Sequence, residues 1–142
     1  MTPSASTVPG ATATLPPALT SDQQQQLLSI VSSDARITNL TSGVTVASSK
    51  LATWNTGQGT LIGGVQILTL TQPATMDEEW RGINWADSAK STYSVIVYTA
   101  KLSNVTRIDI WVDLQKGAVV GWSPNTDAKV EAGPTVVATV TE

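Results

Sequence analysis

Apolar and polar residues alternate most cleanly between positions 105 and 114. Ile108, Ile110, Val112 and Leu114 share one parity, and Arg107, Asp109, Trp111 and Asp113 share the other. A period of two residues predicts a half-buried strand with one face on a core. Gln115-Lys116-Gly117 follows, then Ala118-Val119-Val120-Gly121-Trp122. A type I turn at Gln115-Lys116 with Gly117 in the left-handed conformation predicts a three-residue hairpin loop. In that register Leu114 faces Ala118, Val112 faces Val120 and Ile110 faces Trp122, all on the core side. On the other face Trp111 covers Gly121, a packing device for a strand glycine.

The period changes near the N-terminus. Leu27, Ile30 and Val31 fall at i, i+3 and i+4 with Leu28 beside them, which predicts one amphipathic helix ending near Ser33. Ser21 with Gln24 has the capping-box spacing, and Asp22 suits the positive helix start. Everything after the helix reads as strand. One strand is predicted over 44–54, a turn over 55–59, and a long β-branched strand over 60–71 with a bulge or close backbone crossing at Gly63-Gly64. Pro73 and the mixed composition after it predict a loop over 73–89. A strand over 92–102, a turn at Ser103-Asn104, the closing hairpin and a last strand over 135–140 complete the pattern. The expected fold class is α+β, with one N-terminal helix packed on an antiparallel sheet of about four to six strands.

Length and composition narrow this picture. The chain of 142 residues fits one domain. Residues 1–19 are rich in Ser, Thr, Ala and Pro without periodicity and read as a flexible tether, leaving 20–142 as the single α+β domain. Charged residues make up 13% of the chain, against the usual ~25%. Such a neutral-polar surface fits an exported protein, and the expected location is extracellular or at the cell envelope, with the signal or anchor segment outside this sequence. The net charge of −3, with eight scattered basic residues, argues against nucleic acid as a partner. No apolar run approaches the ~20 residues of a membrane-spanning helix.

The chain has no Cys and no His. Disulfides, thiol nucleophiles, imidazole acid–base chemistry and the usual zinc and copper sites are thereby removed, and no cofactor is expected. Asp77-Glu78-Glu79 lacks the spacing of a calcium loop and reads as a solvated face. Asp109 and Asp113 share a strand face roughly 13 Å apart, too far for a carboxylate pair flanking one sugar bond. The Ser49-Lys50 and Ser88-x-Lys90 pairs are expected by chance in a serine-rich chain. A non-enzymatic protein is the expectation.

Tryptophan is the unusual signal, with five Trp and no Phe. Trp111 and Trp122 are explained by packing in the closing hairpin. Trp80 and Trp85 in the predicted loop, and Trp54 before a turn, are the candidate binding residues, since exposed indoles stack on sugars or anchor protein partners. The alternative for Trp80 and Trp85 is that they fold inward and close an open end of the core.

The hairpin over residues 112–120, VDLQKGAVV, together with a preceding short helix and strands, resembles PepSY-type domains. Their characteristic hairpin has a Val-Asp pair, a short polar turn, Gly and a Val-rich returning strand. Lys116 stands where a Thr often precedes the turn glycine, and the central strands are longer than a compact repeat needs. The resemblance implies a small, mostly exported or membrane-anchored interaction or regulatory module with no catalytic motif to carry over. Its partner would be a protein or peptide. A carbohydrate-binding module using Trp54, Trp80 and Trp85 is the alternative, with glycan as its ligand.

Overall fold

The structure is a computed structural model that describes residues 19–55, 60–87 and 92–141. Two short helices, α1 (Ser21–Ser32) and α2 (Ala35–Thr41), precede five strands: β1 (Val46–Asn55), β2 (Leu61–Asp87), β3 (Thr92–Asp113), β4 (Ala118–Pro124) and β5 (Lys129–Thr141). The sheet is antiparallel throughout. An α+β chain dominated by its sheet is therefore what the sequence folds into.

The helix expected near the N-terminus forms, shifted by one residue at its cap. Thr20 accepts from the Gln23 backbone at 3.1 Å while the Gln23 side chain accepts from the Thr20 N–H at 2.9 Å, a reciprocal box one position ahead of the expected Ser21–Gln24 pair. Leu27 and Val31 are buried as the apolar face. The second helix goes beyond the sequence expectation. Asp34 caps it by accepting from the Arg36 N–H at 2.8 Å, and Ile37 and Leu40 turn inward at an i, i+3 spacing.

The expected loop over 73–89 is corrected most strongly. Residues 61–87 form one strand of 27 residues, and β3 runs beside it for 22 residues, straight through the expected turn at Ser103-Asn104. The breakers bend this long hairpin instead of ending it. Pro73 has no N–H to donate, but it falls where the β2–β3 ladder skips from Thr69 to Ala74 and just past the Val46↔Leu70 limit of β1. Asn104 takes the left-handed conformation, φ 58°, on the opposing strand.

The bend folds the hairpin onto itself. In its first half the neighbours run β1–β2–β3–β4, because Gly63–Thr69 of β2 sit between β1 and residues 107–113 of β3, with β4 beyond. In its second half β2 and β3 continue with β5 on the far side of β3. The two halves meet where Arg81 of β2 bridges Trp122 of β4. A Cβ on Gly121 would lie 2.7 Å from the Arg81 carbonyl oxygen and 3.0 Å from Ile83 Cδ1, so this crossing needs glycine. The expected Trp111↔Gly121 register is present, but the close backbone of Arg81 is what demands the glycine.

Two apolar clusters result. One joins the helices, through Leu27, Val31, Ile37 and Leu40, to Ile108, Ile110, Val112, Trp80 and Trp122. The other fills the space between the folded halves, with Trp54, Ile62 and Val65 from one side and Tyr93, Val95 and Val97 from the other. The expected close approach at Gly63-Gly64 is present: a Cβ at Gly63 would be 1.9 Å from the Val112 carbonyl oxygen, and one at Gly64 would be 2.5 Å from Leu27 Cδ1.

The closing hairpin differs from the expected one by one residue. Ile110↔Trp122 and Trp111↔Gly121 hold, but a bulge then pairs Val112 with Val119 and Asp113 with Ala118. The loop is four residues, 114–117, closed by Gly117 N–H to the Asp113 carbonyl at 2.9 Å, with Gly117 at φ 65° as expected. The extra residue arises because Asp113 Oδ1 accepts from both the Gln115 and Lys116 N–H groups, at 2.9 and 3.0 Å. The turn expected over 55–59 falls mostly, and the tether almost wholly, outside the described residues; Leu19 packs against the helix-side core.

Candidate functional site

The tryptophans singled out by the sequence separate into different fates. Trp80 is fully buried, and its Nε1 donates to the Ala100 carbonyl at 3.3 Å. Trp54 is 4% exposed, tilted against Tyr93 with centroids 5.0 Å apart and edge-on to Trp111 at 5.2 Å. Neither offers a ring face to a sugar or a partner. Each sits on a strand facing a core, so the indole area is used in packing. Trp85 pairs with Tyr93 along the β2–β3 ladder, and its side chain lies outside the described part of the structure. Trp122 is buried beneath two guanidinium groups, Arg36 at 5.1 Å and Arg81 at 5.4 Å from the ring centroid, and its Nε1 donates to the Glu79 carbonyl at 2.8 Å.

The carboxylates also take structural posts. Asp113 is buried and accepts from the Tyr93 hydroxyl at 2.8 Å through Oδ2 while Oδ1 holds the turn. Burial, then this hydrogen bond to a carboxylate, pushes the Tyr93 hydroxyl well above its ordinary value. Asp109 pairs with Arg107 at 3.0 Å, and burial raises its carboxyl against the pull of that guanidinium. Of the acidic run, Glu79 pairs with Arg81 at 3.3 Å, and burial beside Asp77 raises the Glu78 carboxyl.

What the surface does present is β5. Residues 129–140 are exposed along the whole strand. Val130 is 54%, Val136 62%, Val137 60% and Val140 41% exposed, and these four stand with Leu28 and Val46 as the exposed large apolar residues of the described chain. β5 ends the sheet order, paired to β3 alone among the described strands. From Ala132 to Thr141 it carries no charge. Beneath its first half lies a cleft of about 540 Å³, lined by Tyr98, Leu102, Pro124, Ala128, Val130 and Val136 among others, with no charged side chain on its walls.

A polar anchor shapes this cleft. Asn125 is buried; its Oδ1 accepts from the Thr106 and Arg107 N–H groups at 2.8 and 3.3 Å, and its Nδ2 donates to the Asn104 carbonyl at 3.2 Å and to the Asp127 carboxylate. That amide holds the Asp127 carboxyl below the usual range. The linker from β4 to β5 is thus pinned to the bend of β3. Ser103 adds a 2.6 Å hydrogen bond from its hydroxyl to Glu131. Burial raises the Tyr98 hydroxyl on the cleft wall.

Sequence reasoning passes over these cleft and edge residues. The available signal is an uncharged ten-residue tail with valines at 136, 137 and 140, a pattern with no single buried parity. Compared with protein-family models, curated proteins and solved structures, the chain matches none.

Proposed function

We propose that this chain is a non-enzymatic interaction module of PepSY-like character, acting outside the cell or at its envelope. Its working surface is the β5 edge with the cleft beneath it. The observation that carries this reading is the exposure of four valines on a terminal strand that bears no charge over ten residues. Native sheets usually guard such edges with charge, brevity or a cover. The opposite edge follows that habit, since β1 exposes Ser48, Ser49 and Lys50 along its first half.

An extended segment of a protein partner fits this surface. Main-chain groups of such a segment extend the sheet, and its alternate apolar side chains enter the uncharged cleft. Glycan stacking has less support, because Trp54 and Trp80 are both in the core.

The test is selection of peptides from a displayed random library on the whole protein, followed by affinity measurement on Val136→Asp and Val137→Lys variants. Both positions are exposed, so the variants are expected to remain folded by circular dichroism. The reading predicts β-branched, uncharged peptides whose affinity falls at least tenfold in both variants. Peptides that bind the variants as well as the parent overturn it.

A further inference from the structure

The cleft beside β5 reaches past the sheet edge into the protein. Ile96, Tyr98, Ala100 and Leu102 of β3 share one face by the two-residue period, and all four line it. Ala100 and Leu102 are buried in the helix-side core with Trp80, so the cleft opens onto that core. Residues 123–126 and Ala128, from the end of β4 and the linker that follows, supply a second wall.

Three observations select an occupant. The volume of about 540 Å³ falls in the range of small-molecule sites, roughly 300–1,000 Å³. No charged side chain stands on the walls, so an ionised ligand would shed its hydration without gaining a counter-charge. The Tyr98 hydroxyl makes no hydrogen bond within the described residues, whereas a phenol taken out of water usually finds a partner. Burial raises that hydroxyl above its ordinary value, so it keeps its proton and is available as a donor. We propose that the cleft binds a small neutral ligand with a hydrocarbon body and one carbonyl oxygen, which accepts from the Tyr98 hydroxyl.

The walls are fixed before a ligand arrives. Asn125 ties the linker to the Thr106 and Arg107 N–H groups and to the Asn104 carbonyl. Pro124 and Pro134, both on the lining, have their φ angles set by their rings. A site held in this way spends little binding energy on ordering itself. The proposal stands on the cleft alone and does not require a peptide on the β5 edge.

Benzophenone is the probe, with two apolar rings around one carbonyl. On irradiation its excited carbonyl oxygen takes a hydrogen from a nearby C–H, and the two carbon radicals then join, so the label marks where the probe sits. Labels on the full chain, mapped by mass, are expected within 96–102 and 123–136, the segments that line the cleft. Equilibrium dialysis then tests the ligand class. Diphenylmethane, the same shape without the oxygen, is expected to bind about fivefold more weakly, the worth of one neutral hydrogen bond. Tyr98→Phe is expected to weaken benzophenone by about the same factor and to leave diphenylmethane unchanged. Adding a carboxylate, as in para-benzoylbenzoate, is expected to cost at least about tenfold. Labels spread over the chain or concentrated elsewhere overturn the site. Labels in the cleft with equal affinity for benzophenone and diphenylmethane, or for benzophenone and para-benzoylbenzoate, overturn the ligand class. If Tyr98→Phe unfolds by circular dichroism, the three-probe comparison on the parent chain decides. Peptide binding that remains sensitive to Val136→Asp survives either failure, so the two readings fail separately.

Discussion

The Tyr93 hydroxyl donates a 2.8 Å hydrogen bond to Asp113, which joins the start of β3 to its last residue, 20 positions on. A straight strand would hold residues that far apart at roughly 66 Å. The contact exists because the β2–β3 hairpin folds over, bringing Tyr93 and Val95 from its far end against Trp54 and Val65 near its base. It is also a buried polar link at the turn that closes the β3–β4 hairpin.

Replacing Tyr93 by Phe removes one donor to the Asp113 carboxylate and leaves its turn contacts in place. Hydrogen bonds to charged groups contribute about 1.5–3 kcal/mol, and a loss of that order is expected in urea unfolding. The pH dependence has a definite sign. The folded state holds the Tyr93 proton above the ordinary value of 10.0, so the unfolded chain releases it first. Stability from this group is complete below pH ~10 and falls as pH rises beyond it. Tyr98 is raised in the same direction by burial. Tyr93→Phe is therefore expected to reduce the alkaline loss of stability without abolishing it, as read from unfolding midpoints between pH ~8 and ~11.

Trp80→Ala tests the reassignment of a candidate site residue to the core. Trp80 is fully buried and bonded to the Ala100 carbonyl, and truncation of a buried Trp costs about 3–5 kcal/mol. A loss in that range, seen by chemical denaturation, agrees with the structure. A loss below about 1 kcal/mol, the scale of a surface substitution, contradicts it.

Glycines report the fold-over directly. Gly121→Ala puts a Cβ 2.7 Å from the Arg81 carbonyl oxygen, where backbone has to move, and a loss of about 1–3 kcal/mol is expected. A methyl group on Gly43 would meet nothing within 4 Å, and the residue has no positive φ. Gly43→Ala is expected to stabilise by about 0.4–1 kcal/mol through the unfolded chain. Thermal unfolding of the two variants side by side checks both signs.

Local elements are more legible in the sequence than their joining. Alternation over 105–114 locates the buried face of β3, where Ile108, Ile110 and Val112 are fully buried. Leu27 and Val31 locate the inner face of α1. What local pattern cannot express is a strand that bends without stopping. Pro73 and Asn104 look like terminators one at a time, and only their opposition across a folded hairpin makes them a bend. The same limit applies to the site. An exposed Trp and a buried Trp have the same letter, and the places of Trp54 and Trp80 are set by packing partners far along the chain. The β5 edge is visible as uncharged and valine-rich, but its exposure depends on which strand ends the sheet, a property of strand order.

The most direct test of β5 as the working surface is amide hydrogen exchange over residues 135–141, in the free protein and again with a saturating library-selected peptide. The account predicts rapid exchange of the outward-facing amides in the free protein, with protection on association centred on β5 and extending to the cleft wall at Tyr98. Exchange at β5 that stays unchanged while protection appears on α1 or along β1 contradicts it.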